Sequence, residues 1–150
     1  DTANIYGGGD LNWSRIVPYT IRCFLNGERP IIRSDGQYVR DYVYVKDVSR
    51  CYLRAAECLP DPAVAGQAFN FSLERPLTVL QLVATLQTLM NCHHLQPEVR
   101  NQAAGEIREQ YLNADKAARA LNWRPQYTLE QGLTETIAWY RDYLSSRPPG

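Results

Sequence analysis

The sequence predicts an α/β fold, and three observations carry that expectation. Short alternating or apolar runs bounded by Gly, Pro and Asp read as strands. Between them lie stretches with apolar residues at helical spacing, and two of these stretches open on a Thr-x-x-Gln capping box. Strands alternating with helices imply a sheet covered by helices. At 150 residues, 45% hydrophobic and 21% charged, the chain has the size of one domain, enough to bury roughly 70% of its unfolded surface. No repeat or linker divides it.

The first strand is Asn4-Ile5-Tyr6, ending in the permissive turn Gly7-Gly8-Gly9-Asp10. A helix follows, with Ser14 as N-cap, Pro18 tolerated near the first turn, Ile21, Phe24 and Leu25 on one face, and Asn26-Gly27 as its stop. Pro30-Ile31-Ile32-Arg33 is extended and Ser34-Asp35-Gly36 turns. Arg40 to Val45 then alternates as a strand, Val43 and Val45 on one face, Tyr42 and Tyr44 on the other. Asp47 caps the next helix, in which Val48, Cys51, Tyr52, Ala55 and Leu59 share a face before Pro60-Asp61-Pro62 ends it.

Ala68-Phe69-Asn70-Phe71 reads as a further strand. Thr78 and Gln81 form the first capping box, opening a helix that buries Val79, Leu82, Val83, Leu86 and Met90. Gln96 to Gln102 is an irregular stretch and Ile107 to Leu112 an extended one. Asn113 caps a short helix with Ala117, Ala118 and Leu121 inward and Asn122 at its C′ position; Trp123-Arg124-Pro125 forbids continuation. Thr128 and Gln131 form the second box, and Leu129, Leu133, Ile137, Tyr140 and Leu144 run down one face of the last helix. The domain spans residues 1–144, and the tail over residues 145–150 frays.

Composition excludes several functions. Sixteen basic and sixteen acidic residues give zero net charge, without the basic excess of a protein that tracks nucleic-acid phosphates. No run of about 18 apolar residues exists to span a membrane, and no basic-then-apolar leader opens the chain, so we expect a cytoplasmic protein with no membrane partner. Cys23, Cys51, Cys58 and Cys92 form no Cys-x-x-Cys pair and read as reduced thiols. Cys92-His93-His94 sets three metal ligands side by side, but neighbouring residues point apart and no fourth ligand stands at a zinc spacing, so no metal site is expected. Met90 is the only methionine and Asp1 leads directly into a strand, which suggests a piece of a longer protein.

Seven ordered blocks carry a family resemblance. They are Asn4-Ile5-Tyr6-Gly7-Gly8-Gly9-Asp10, Arg15-Ile16-Val17-Pro18, Pro30 to Gly36, Arg40-Asp41-Tyr42-Val43-Tyr44-Val45, Ala68-Phe69-Asn70-Phe71, Leu121-Asn122-Trp123-Arg124-Pro125 and Gly132-Leu133. In this order they resemble the C-terminal half of NAD-dependent nucleotide-sugar epimerases and dehydratases, which are extended short-chain dehydrogenases. Gly7 to Asp10, with Glu106-Ile107 and Gln110-Tyr111-Leu112, resemble the CDP-glucose 4,6-dehydratases within that family.

The resemblance implies the last strands of a Rossmann sheet and the lobe that grips a nucleotide diphosphate sugar. In the family, bound NAD oxidises the sugar at C4 with a tyrosine as base and a lysine that lowers its pKa; a dehydratase then eliminates water, and an epimerase returns the hydride to the other face. The glycine-rich NAD loop and the catalytic Tyr-x-x-x-Lys of the family precede the matching region, so no catalytic residue is expected in this chain. The complete enzyme would be a homodimer. Tyr42 and Lys46 mimic the catalytic spacing, but residues four apart on a strand stand roughly 13 Å apart. Gly7-Gly8-Gly9 lacks the G-x-G-x-x-G spacing.

Arg15, with Ile16 beside it, and Arg40 match family positions that contact the diphosphate, whose oxygens a guanidinium fork can meet in pairs. A helix N-terminus near Ser14 would add donors and a favourable dipole. Asn4 and Asn70 match positions placed to hydrogen-bond substrate, Ile31 and Arg33 line the family's base pocket, and Arg108 matches a further diphosphate contact. Asn122 replaces a family glycine and tolerates the left-handed conformation. Asp41 and Asp47 are read as structural, Tyr42 and Tyr44 as half-buried residues able to stack on a base, and Trp13, Trp123 and Trp139 as packing. The competing reading is a non-catalytic module that binds a nucleotide sugar or a partner protein.

Overall fold

A computed structural model describes residues 4–62, 64–70, 72–102, 105, 109–110 and 113–147. Along the chain run β1 (Asn4–Tyr6), α1 (Ile16–Leu25), β2 (Ile31–Ile32), β3 (Val39–Arg40), β4 (Tyr42–Tyr44), α2 (Val45–Glu57), β5 (Leu77–Thr78), α3 (Val79–Met90), β6 (Glu98–Val99), β7 (Glu109–Gln110), α4 (Asp115–Leu121) and α5 (Leu129–Ser145). The class is α/β. The strands form three small sheets among the described residues. β1 lies parallel to β4 with Asn4 opposite Tyr42, and β2 lies parallel to β6 with Ile31 opposite Glu98. β3 is the middle strand of the third sheet, antiparallel to β5 and parallel to β7.

The helices begin and end for identifiable reasons. Thr78 and Thr128 both form complete capping boxes, each hydroxyl taking the N–H of the glutamine three residues on while that glutamine returns a bond to the cap. Asn91 and Asn122 close α3 and α4 in the left-handed region, at φ 53 and 49, which asparagine tolerates better than other non-glycine residues. At α1 and α4 the expected caps are displaced. Ser14 does not cap α1: its hydroxyl donates to Asn12 Oδ1 at 2.5 Å, and Arg15 takes the N-cap place without a side-chain bond. Ala114 takes the N-cap place of α4, although Asn113 Oδ1 still accepts the Asp115 N–H at 2.7 Å.

Tyr42, Val43 and Tyr44 are all buried, so β4 is covered on both faces instead of offering half-buried tyrosines. α5 covers one face: Tyr44 donates to Glu135 at 2.5 Å, and Tyr6 and Tyr44 pack against Gly132. α1, α3 and α5 meet one another around Ile21, Leu82, Leu86, Leu133, Ile137 and Tyr140, the centre of the larger core. Each such side chain contributes roughly 1.5–3 kcal/mol on leaving water. A second cluster gathers Cys51 of α2, Ala117 and Leu121 of α4, Val64 and Trp123.

Around α2, three expectations need correction. The strand stops at Tyr44, because Val45 already opens α2; Val45 is therefore exposed on the helix and does not share a strand face with Val43. Asp47 is not the cap of α2. It lies fully buried in the first turn, where its carboxylate takes Arg50 at 2.6 Å, the Gln126 N–H at 2.8 Å and the Tyr127 N–H at 3.2 Å. Tyr52 and Leu59 stand exposed, leaving Val48, Cys51 and Ala55 to face the protein.

The segment 68–70 is not a strand. Lys116 occupies the place of a ladder partner, its ammonium donating to the Ala68 carbonyl at 2.9 Å and lying 5.1 Å from the Phe69 ring. Phe71 falls outside the described residues. Within the stretch expected to be irregular, Glu98–Val99 pairs with β2; of the expected 107–112 extension, Glu109–Gln110 is described and pairs with β3. The tail is described only to Arg147, where its guanidinium lies 5.2 Å from the Tyr143 ring.

Two substitutions test this packing. Asp47→Ala leaves two part-buried N–H groups and Arg50 without their acceptor, and urea denaturation should show a loss of about 1–3 kcal/mol. Gly132→Ala would ordinarily favour a helix by about 1 kcal/mol. Here the added methyl meets the Tyr6 hydroxyl and the Tyr44 ring, so the denaturation midpoint should fall by the equivalent of about 1–3 kcal/mol.

Candidate functional site

Two adjoining clefts share the walls Ile16, Arg40 and Val79. The first, about 540 Å³, runs from the end of β1 past Asp10 to the start of α1 and includes Asn4, Arg15 and Tyr42. The second, about 510 Å³, continues along β2 and β3 past Trp13, Ile31, Arg33, Tyr38 and Arg100. Six residues singled out from the sequence lie along this paired cleft: Asn4, Arg15, Ile16, Ile31, Arg33 and Arg40. Asn70 is partly buried but lines neither half, because its segment does not join the β1–β4 sheet. Arg108 falls outside the described residues.

Local chemistry explains each placement. Asn4 is exposed at the entry of β1, its N–H donating to the Asp41 carbonyl at 2.8 Å. Arg15 precedes α1, and its guanidinium reaches Asp10 Oδ2 at 3.5 Å. Tyr19, one turn into α1, accepts the Ile31 N–H at 2.9 Å and so fixes the β2 wall to that helix. Ser34 accepts the Gly36 N–H at 3.1 Å in the turn that leads the chain from β2 toward β3; Gly36 has φ 78, and a side chain there would collide with Leu80. Arg40 lies along the wall, donating to the Val39 carbonyl at 2.8 Å with its guanidinium 5.5 Å from the Tyr38 ring.

Several lining residues carry no sequence signal of their own. Val79 reads as a core position of its helix; its N–H donates to the Tyr38 carbonyl at 3.1 Å beside the β3–β5 pairing, and it lines both halves of the cleft. Arg100 lies in a stretch expected to be irregular; it follows the β2–β6 pairing, its N–H donates to the Ile32 carbonyl at 2.8 Å, and its side chain pairs with Glu98 at 3.1 Å. Trp13, read as packing, lines the cleft while Arg22 sits 4.6 Å above its ring. Trp139 is partly exposed and stacks on Tyr143 at 5.0 Å. Trp123 is buried packing, as expected.

Neither decoy offers catalytic geometry. Burial pushes the Tyr42 phenol up to about 12, against the direction a base requires, although the nearby Arg40 charge partly opposes this. Lys46 belongs to α2 and donates to Glu135 at 2.9 Å, beside the Tyr44 hydroxyl. The Gly7-Gly8-Gly9 turn is followed by a loop, and α1 begins only at Ile16, so no helix N-terminus meets the glycines.

Known proteins resemble most of this chain. Residues 2–71 match the family described as the NAD dependent epimerase/dehydratase family. The UDP-glucose 4-epimerase of Mycoplasma pneumoniae is 25% identical over 95% of this chain and 44% of its own length. The dTDP-glucose 4,6-dehydratase 1 of Escherichia coli K12 is 27% identical over 84% of this chain and 36% of its own. Among solved structures, the Thermotoga maritima UDP-glucose 4-epimerase with UDP-glucose superposes with a TM-score of 0.82, at 33% identity over 95% of this chain and 45% of that one. The Bacillus anthracis dTDP-glucose 4,6-dehydratase in complex with NAD gives 0.81, at 26% identity over 97% and 44%. The chain spans less than half the length of these relatives.

No group of three metal-ligating side chains occurs among the described residues. Nor is any helix among them long and apolar enough to cross a membrane. The cysteines are free thiols, three of them buried. Burial raises the thiol pKa of Cys23 and Cys92 and lifts that of Cys51 to about 12, with Asp47 adding to the effect at Cys51. A thiol reagent at pH 8 should therefore label Cys58 first, with Cys23, Cys51 and Cys92 reacting only on unfolding; mass-spectrometric mapping of early adducts would read this order.

Proposed function

Because this chain belongs to the NAD dependent epimerase/dehydratase family, we propose that it is the part of an NAD-using 4-epimerase or 4,6-dehydratase that grips the nucleoside diphosphate of a sugar nucleotide. In this reading residues 1–144 form the binding portion and residues 145–150 a tail. The observation that carries it is the charge of the paired cleft. Arg15, Arg33, Arg40 and Arg100 line it, and Asp10 is the only carboxylate among the described lining residues. Guanidinium groups meet paired phosphate oxygens with two donors each, which suits a diphosphate better than a neutral sugar. The apolar surfaces of Ile16, Ile31 and Val79 beside these charges suit a base and ribose.

The roles follow from position. Arg15 and Arg40 face the diphosphate, Asn4 offers an amide at the sugar end, and Ile31 and Arg33 border the base. Asn70 and Arg108 remain assigned by resemblance alone. NAD, which supplies hydride transfer at the sugar C4, is assigned to a portion of the parent protein beyond this chain, together with the tyrosine and lysine that move the proton. The Thermotoga structure was determined with UDP-glucose and the Bacillus structure with NAD, which supports a shared architecture for the parent.

Replacing Arg40 with alanine in the intact protein removes a charged hydrogen bond worth about 1.5–3 kcal/mol. The dissociation constants for UDP-, dTDP- and CDP-glucose should rise about tenfold to a hundredfold for whichever of them binds, as measured by calorimetry. An unchanged constant would sink the assignment.

A further inference from the structure

Asp10 is the acid in an otherwise cationic cleft, and the way it is held differs from the way Arg15 is held. Its backbone carbonyl accepts the Tyr140 hydroxyl at 2.5 Å, and Tyr140 is itself fully buried between Trp13 and Trp139. Its carboxylate accepts the Asn12 N–H at 3.0 Å, closing a local turn that needs no arginine. The Asp10 side chain is 23% exposed and the Arg15 side chain 60%. One partner of the 3.5 Å ion pair is thus fixed by the loop and the last helix, whereas the other is a solvated arm at the start of α1.

We propose that Asp10 is a resident counter-ion that parks Arg15 across the mouth of the cleft and must be displaced from its guanidinium by an incoming phosphate anion. Asp10 is a positioning residue, acting through Arg15. This deepens the nucleotide-sugar reading and rests on it only for the identity of the natural anion. The ion pair is exposed, so its own contribution to stability is small. Its consequence is a threshold: an anion gains Arg15 only by exceeding one carboxylate in charge and in donor-matching oxygens. A diphosphate does so, and a single carboxylate does not.

The experiment measures the affinity of the intact protein for inorganic pyrophosphate, at low and high ionic strength, in the wild type, Asp10→Asn, Arg15→Gln and the double variant. The side-chain amide of the Asp10→Asn variant keeps an oxygen for the Asn12 N–H, so the turn survives; near-ultraviolet circular dichroism verifies the fold. Asp10→Asn should tighten pyrophosphate binding about threefold to tenfold at low salt, where charges act over about 30 Å, and less at high salt. In the Arg15→Gln background the same change should have no effect. Unchanged or weaker binding in Asp10→Asn, undetectable binding in every variant, or tightening that persists without Arg15 would each overturn the proposal. Failure of the underlying reading has a separate signature. If pyrophosphate follows the expected pattern but UDP-, dTDP- and CDP-glucose fail to compete with it, the latch stands and the nucleotide-sugar assignment falls.

Discussion

In the first turn of α2 both oxygens of the Asp47 carboxylate are occupied: one takes Arg50 and the Gln126 N–H, the other the Tyr127 N–H. These bonds span about half the chain, joining the helix after β4 to the loop that launches α5. The launch point matters because α5 supplies much of the main core. From Leu129 to Tyr140 it lies across β4 and against α1 and α3, and its Tyr140 hydroxyl reaches the loop after β1. A charge removed from water stays stable only when donors surround it. The two amides and the guanidinium meet that requirement, and they fix one geometry for the loop.

How far the sequence revealed the fold depended on whether a residue's partner lay nearby in the chain. Thr78 with Gln81 and Thr128 with Gln131 solve a helix terminus within four residues, and both boxes form as read. Asn122 closes its helix in the left-handed conformation for the same local reason. Misreadings arose where a distant group intervened. Lys116 captures the Ala68 carbonyl and removes a strand; backbone amides 79 and 80 residues away claim Asp47 and remove a cap. Tyr52 and Leu59 fit a helical stripe by spacing but stand outside it, since Cys51 and Ala55 already fill the contact with α4 and its neighbours.

The cleft divides along the same line. Asn4, Arg15, Ile16, Ile31, Arg33 and Arg40 were legible through ordered motifs that resemble a family, and all six lie together. Val79 and Arg100 were not, because nothing local distinguishes a helix-opening valine or a strand-end arginine that becomes part of a wall. They arrive through the β3–β5 and β2–β6 pairings, contacts between segments about forty and seventy residues apart. Asp10 was visible only as the end of a glycine turn; its role depends on Tyr140, at the other end of the chain.

Of the strand pairs that border the cleft, β2 with β6 and β3 with β5 and β7 are each two residues long, and β1 with β4 is three. The cores that hold the protein together centre on the helices and β4, and reach the other strands through Tyr6, Ile32 and Leu77. The arginines of the cleft stand outside the cores, whereas Ile16, Ile32, Tyr42 and Val79 serve both the cleft and the main core. An arginine on that rim can be exchanged for a side chain of different size or polarity while the α1–α3–α5 packing keeps its shape. Such a division gives a lineage room to change which ligand it accepts without first having to rebuild the scaffold.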